Sequence, residues 1–131
     1  MNHFANPSAV VRSPEADPST TDQPIKRTFL FDGEFVTANL AVIDTDEDTL
    51  HTQPHHDEIV MVVEGEADFR VGDETRRIGP GHLVFIPRNT IHGPIVEAGQ
   101  RFAAISVFAP YFDRSPKNFE WQRDQTEGGR A

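Results

Sequence analysis

Between Phe29 and Phe108 the chain is cut by turn residues into short apolar segments, none of which carries the periodicity of a long amphipathic helix. Residues 29–31 stop at Asp32-Gly33, residues 36–43 at an acidic run from Asp44 to Asp48, and residues 58–63 at a turn around Gly65. Residues 67–71 and 75–78 flank a hairpin signal at Gly72, Asp73 and Glu74, and residues 83–86 and 101–108 supply two more β-branched or aromatic runs. Many short strands with turn signals between them predict an all-β sandwich or barrel rather than an α/β fold.

Two of these segments carry chemistry. His51, Gln53, His55, His56, Asp57 and Glu58 gather ahead of the 58–63 strand, and downstream a Gly79-Pro80-Gly81 turn, the 83–86 strand and Pro87 lead to His92. Imidazoles and carboxylates suit zinc, copper, iron, nickel and manganese, so these segments folded together can hold one ion. Alternate residues of a strand share a face. His51 and Gln53 therefore point the same way, and Glu58 shares its face with Val60 and Val62. The candidate ligands are His51, Gln53, Glu58 and His92, with Glu58 and His51 also the candidates for catalysis. Gln53 either ligates through its amide oxygen or hydrogen-bonds a metal-bound water. The competing register puts His55 in its place, because Pro54 interrupts the strand and with it the face argument. His82 reads as a turn residue, and Arg101 as a solvated arginine or an anion contact.

These segments resemble the two motifs of the cupin superfamily. His51-x-Gln53, four residues, Glu58, six residues and Gly65 matches the first motif except at Gln53, where the family has its second histidine. Gly81 through Pro87, Asn89 and His92 matches the second, with His82 for the usual aspartate and Asn89 for a glycine. The resemblance covers roughly residues 29–110. It implies a double-stranded β-helix, or jelly-roll, barrel with one divalent transition metal at its centre, iron(II) ahead of nickel, manganese or zinc. It also implies chemistry on a small organic molecule. Two histidines and one carboxylate are the ligand set of non-haem iron(II) oxygenases, which makes an oxygenase acting on an aromatic or enol-type substrate the first expectation. A redox-neutral cyclase, isomerase or lyase is the second, and a non-enzymatic ligand-binding cupin the third.

With 131 residues the chain supports one domain, expected as an arm over residues 1–27, a barrel over 28–112 and a tail over 113–131. The arm has four prolines and no apolar period, so it reads as mobile or loosely docked, or as packing across a partner subunit. In the tail, residues 116–123 suggest a helical turn from which Phe119 and Trp121 seek an apolar surface. No cysteine is present, which excludes thiolate ligands and disulfides, and a formal charge of −9 argues against nucleic acid or an anionic membrane as partner. The N-terminus lacks the basic start and apolar stretch of a secretory signal, so the cytoplasm is the expected location. Sheet edges need covering, and a homodimer is expected. Phe35, Val60, Met61, Val62, Phe85, Phe102 and Phe108 are the bulky candidates for a pocket wall, with the inward half undetermined.

Overall fold

The computed structural model describes residues 3–128. Among these residues, ten strands form two five-stranded sheets that pack face to face. The first sheet has the order β1 (Lys26–Asp32), β2 (Thr37–Ile43), β9 (Phe102–Ala109), β4 (Asp57–Glu64) and β7 (Leu83–Ile86). The second has the order β10 (Glu120–Trp121), β3 (His51–Thr52), β8 (His92–Ile95), β5 (Ala67–Val71) and β6 (Glu74–Ile78). All pairings are antiparallel. The sandwich of short strands expected from the turn pattern is what the chain forms.

Alternation decides the faces. Along β4, Asp57, Ile59 and Met61 are exposed whereas Glu58, Val60 and Val62 are buried, so one carboxylate is carried inward beside two valines. The core between the sheets contains Val60, Val62, Phe102 and Phe108 of the expected wall. Phe35, Met61 and Phe85 lie on the outside instead. A register shift in β4 between Val62 and Glu64 leads into Gly65 (φ +82°), where an added Cβ would run into the carbonyl oxygen of Arg101. That close approach is why only glycine serves there.

β2 is buried on both faces. Ala41 and Ile43 join the central core, while Leu40 and Val42 form a second cluster with Ala103 and with Val11 from the N-terminal segment. A one-turn helix, α1 (Pro7–Val10), positions Val11; the Asn6 side chain accepts from Ala9 N at 3.3 Å, and Pro7 occupies the first turn. Arg101 donates to the Val11 carbonyl at 2.6 Å. Its guanidinium thus ties this segment down. The chain then makes a 3₁₀ turn, Pro18–Thr20, and enters β1 at Lys26, inside the stretch expected as an arm. At the other end a 3₁₀ turn, Pro116–Asn118, precedes β10, and α2 (Gln122–Gly128) follows it. Phe119 and Trp121 are both buried, so the tail completes the second sheet. No helix among the described residues is long and apolar enough to cross a membrane.

Candidate metal centre

β3 and β8 pair through one register contact, His51 opposite His92, which sets the two rings 4.3 Å apart between centroids. Glu58 reaches them from the facing sheet. Ligand atoms of His51, Glu58 and His92 lie within 4.8 Å of one another, and all three residues are buried. Gln53, just past β3, joins them: its Nε2 donates to Glu58 Oε1 at 3.0 Å and lies 3.3 Å from His51 Nε2. His55 is exposed and stands outside the cluster. His56 is buried elsewhere, against Phe108 and Phe112, with Nε2 3.1 Å from the Tyr111 carbonyl. His82 is exposed and closes the Gly79 turn through Nδ1, 3.1 Å from Gly79 N, so it is the turn residue expected from the sequence.

The histidine tautomers follow from their partners. His51 Nδ1 lies 2.8 Å from the Thr49 carbonyl, and His92 Nδ1 lies 2.8 Å from the Thr90 carbonyl. A carbonyl only accepts, so both Nδ1 atoms carry hydrogen, and either ring in its neutral form presents a bare Nε2 to the cavity. His92 Nε2 nevertheless sits 3.0 Å from Glu58 Oε1. Two lone-pair atoms at that distance repel unless a proton or a cation lies between them. Two donors about 2.1 Å from one ion and at right angles are about 3.0 Å apart, so the spacing fits a metal. Backbone carbonyls that hold Nδ1–H are also the usual support for ligating histidines.

Gln53 fits the same description. Its Oε1 is buried with no partner in the present rotamer. A half-turn of the terminal amide exchanges Nε2 for Oε1, giving either a donor to Glu58 in the metal-free state or an oxygen donor to an ion. The loop that bears it is fixed by Asn89 N, which donates to the Gln53 carbonyl at 2.9 Å. Asn89 itself adopts φ +63°. Asparagine tolerates this left-handed conformation better than most residues. Asparagine thus suits a position where the motif has glycine.

Electrostatics separate the groups. Burial alone would raise the Glu58 pKa, but the hydrogen bond and charge that His92 supplies when its ring is protonated, with Arg27 and His51 behind them, outweigh it and lower the value to about 2. Burial, and then repulsion from His92, lower His51 to about 3. The cation facing Glu58 is one that the sequence did not single out. Arg27, on β1, is buried at 2 % exposure, donates to Asn39 Oδ1 at 2.9 Å, and lies 5.1 Å from the ring centre of Phe108 and 5.3 Å from that of Phe119. Burial pulls its guanidinium below the usual range, and Glu58 opposes that. β1 shows no regular alternation of burial, so no local pattern marks Arg27 as inward-facing.

Arg27, His51, Glu58 and His92 line one cavity with Ile25, Ala41, Ile43, Val60, Phe69 and Phe102. The cavity volume is about 20 Å³, a little more than one water-sized group needs. Phe119 packs edge-on against His51 at 5.4 Å, and Trp121 lies at 4.9 Å, so the C-terminal segment walls the histidine side.

Residues 41–108 match the cupin domain family, and this chain belongs to it. Among solved structures, KdgF from Halomonas sp. is 26 % identical, with 71 % of this chain and 86 % of that chain covered at a TM-score of 0.63. A protein with a double-stranded β-helix domain from Klebsiella pneumoniae is 15 % identical, covering 92 % and 97 % of the two chains at 0.67. A Streptomyces protein, PAC13, solved with uridine, is 16 % identical, covering 92 % and 91 % at 0.65. The last two share the fold alone. No curated protein matches the sequence.

Proposed function

We propose that His51, Glu58 and His92, completed by the Gln53 amide oxygen, hold one divalent transition metal ion, and that the chain is an iron(II)-dependent oxygenase of a small aromatic or enol-type substrate. The observation that carries the reading is the pair of carbonyl-held Nδ1–H groups, which leave both Nε2 atoms bare and one of them 3.0 Å from Glu58 Oε1. Iron(II) in such a set would supply adjacent open positions for substrate and dioxygen. The protein contributes orientation and dryness: Thr49 and Thr90 fix the rings, and Ile43, Val60, Phe69 and Phe102 keep bulk water from the reacting groups. Glu58 would hold a substrate proton on whichever carboxylate oxygen the ion leaves free.

A redox-neutral cyclase, isomerase or lyase is the second reading. Gln53 favours it, because a fourth protein donor leaves fewer positions for dioxygen. Loading the metal-free protein separately with iron(II), nickel, manganese and zinc, then following turnover of enol and catechol substrates with and without oxygen, separates the two. Oxygen consumption with iron alone supports the oxygenase; full anaerobic turnover with zinc eliminates it.

We also propose that two copies pair through the outer face of β4 and β7. Ile59 opposite Phe85, and Met61 opposite Leu83, make an exposed apolar ladder with no charge within it. Leu83→Glu should turn a dimer into a monomer by light scattering, and a monomeric wild type at high concentration would refute the pairing.

A further inference from the structure

Arg27 is unexplained by a metal site alone. Its guanidinium has five N–H groups, and among the described residues its single hydrogen bond runs from Nη1 to Asn39 Oδ1 at 2.9 Å. No carboxylate of the described residues lies within ion-pair distance of it. Phe108 and Phe119 stack near it but accept nothing in the plane of the fork. Burying a cation with so few partners costs several kcal/mol, and an apolar side chain of similar length would fill the same space more cheaply. The unused donors belong to a residue that lines the cavity shared by His51, Glu58 and His92.

Charge counting gives the direction. Without metal, and with both imidazoles neutral, Glu58 and Arg27 sum to zero. A divalent ion on neutral imidazoles, one carboxylate and a neutral amide brings the enclosed total to +2. A low-dielectric cavity of that charge selects a ligand that returns negative charge to it. The fork of an arginine matches a carboxylate through two parallel N–H···O bonds, and an ion beside it takes an adjoining oxygen.

We propose that Arg27 is a specificity-determining residue that binds the carboxylate of a small oxo or hydroxy acid, whose neighbouring oxygen meets the metal. The inference rests on the metal reading above and names the substrate class of that same site.

The test uses the full chain loaded with zinc, with pyruvate and its neutral analogue pyruvamide as probes in calorimetric titrations. Wild type should bind pyruvate at least ~10-fold more tightly than pyruvamide, and Arg27→Gln should lose ~10–100-fold toward pyruvate alone, while still taking one zinc per chain. Arg27→Lys, which keeps the charge but not the fork, should recover part of the discrimination. A folded Arg27→Gln protein that binds pyruvate as wild type does would make Arg27 a structural residue and overturn the proposal. Should Arg27→Gln fail to fold, equal binding of the two probes to wild type overturns it as well. Zinc stoichiometry reads the metal reading separately. If wild type takes no zinc, metal-free Glu58→Gln leaves Arg27 as the uncompensated charge of the cavity; pyruvate but not pyruvamide should then raise its Tm, and no shift refutes the assignment.

Discussion

The first sheet brings both full charges of the cavity, Glu58 on β4 and Arg27 on β1, whereas the second brings the two imidazoles, His51 on β3 and His92 on β8. Their supports differ in the same way. Each imidazole is oriented by a carbonyl two residues before it, Thr49 for His51 and Thr90 for His92, so its rotation is set locally. Glu58 has no such neighbour; its contacts, Gln53 and His92, come from the opposite sheet. Donor direction is therefore a property of one strand and its approach, while charge balance exists only once the two sheets have packed. A site built this way should lose affinity and stability through different residues.

The largest effect is expected for metal binding. Glu58→Gln removes the one anion of the cluster, and His92→Ala removes a donor; each should cost more than the roughly 10–100-fold that loss of an outer hydrogen-bond partner costs. Elemental analysis after dialysis checks this. Glu58→Gln retaining one tightly held ion would break the division of labour between the sheets.

Acid should destabilise the metal-free protein next most. Between pH 6.5 and about 3 the unfolded chain takes up a proton at His51 that the folded chain refuses, so stability falls as pH falls through this window. Glu58, held near 2 against 4.5, adds stability that is present above pH 4.5 and is lost as pH falls toward about 2. At about 1.4 kcal/mol per pH unit of difference, the loss amounts to several kcal/mol in order of magnitude. Thermal unfolding from pH 7 to 3 should show a steep decline that Glu58→Gln makes shallower below pH 4.5; an unchanged profile in that variant would mean the charge balance across the sheets is not what acid disrupts.

Gln53→Ala should weaken metal binding by about 10-fold or more, and His55→Ala by much less, because the amide lies against His51 and Glu58 whereas His55 is exposed. The reverse order would restore the alternative register. Among the changes meant to perturb the site, the smallest is expected for Gly93→Ala. A Cβ there would lie 3.0 Å from both the carbonyl oxygen and Oγ1 of Thr49, whose carbonyl orients His51 and whose Oγ1 donates to Pro94 O at 2.6 Å. It should cost about 1–3 kcal/mol of stability and up to about 10-fold in metal affinity, read by denaturant titration and by competition with a chelator. Losing stability without affinity would show that ring orientation does not depend on Thr49.

Much of this architecture was legible along the chain. A period of two in residues 58–63 put Glu58 on the face of Val60 and Val62, because side-chain alternation is a property of any strand. The spacing of His51, Glu58, Gly65 and His92 pointed to a cupin, and the turn residues between short apolar runs pointed to two packed sheets. Other features needed the tertiary structure. The exposure of Met61 and Phe85, against the burial of Val60 and Phe102, could not be read from hydrophobicity, since apolar residues occupy both faces of these strands. Pro54 broke the periodicity that would have chosen between Gln53 and His55. Burial of Arg27 was invisible for a physical reason: arginine is almost never buried unless paired, and its surroundings, Asn39, Phe108 and Phe119, come from three distant segments. A local pattern determines which way a side chain leaves its own strand; what it meets on arrival, and hence whether a charge there is stable, depends on which strands the packed sheets bring to it.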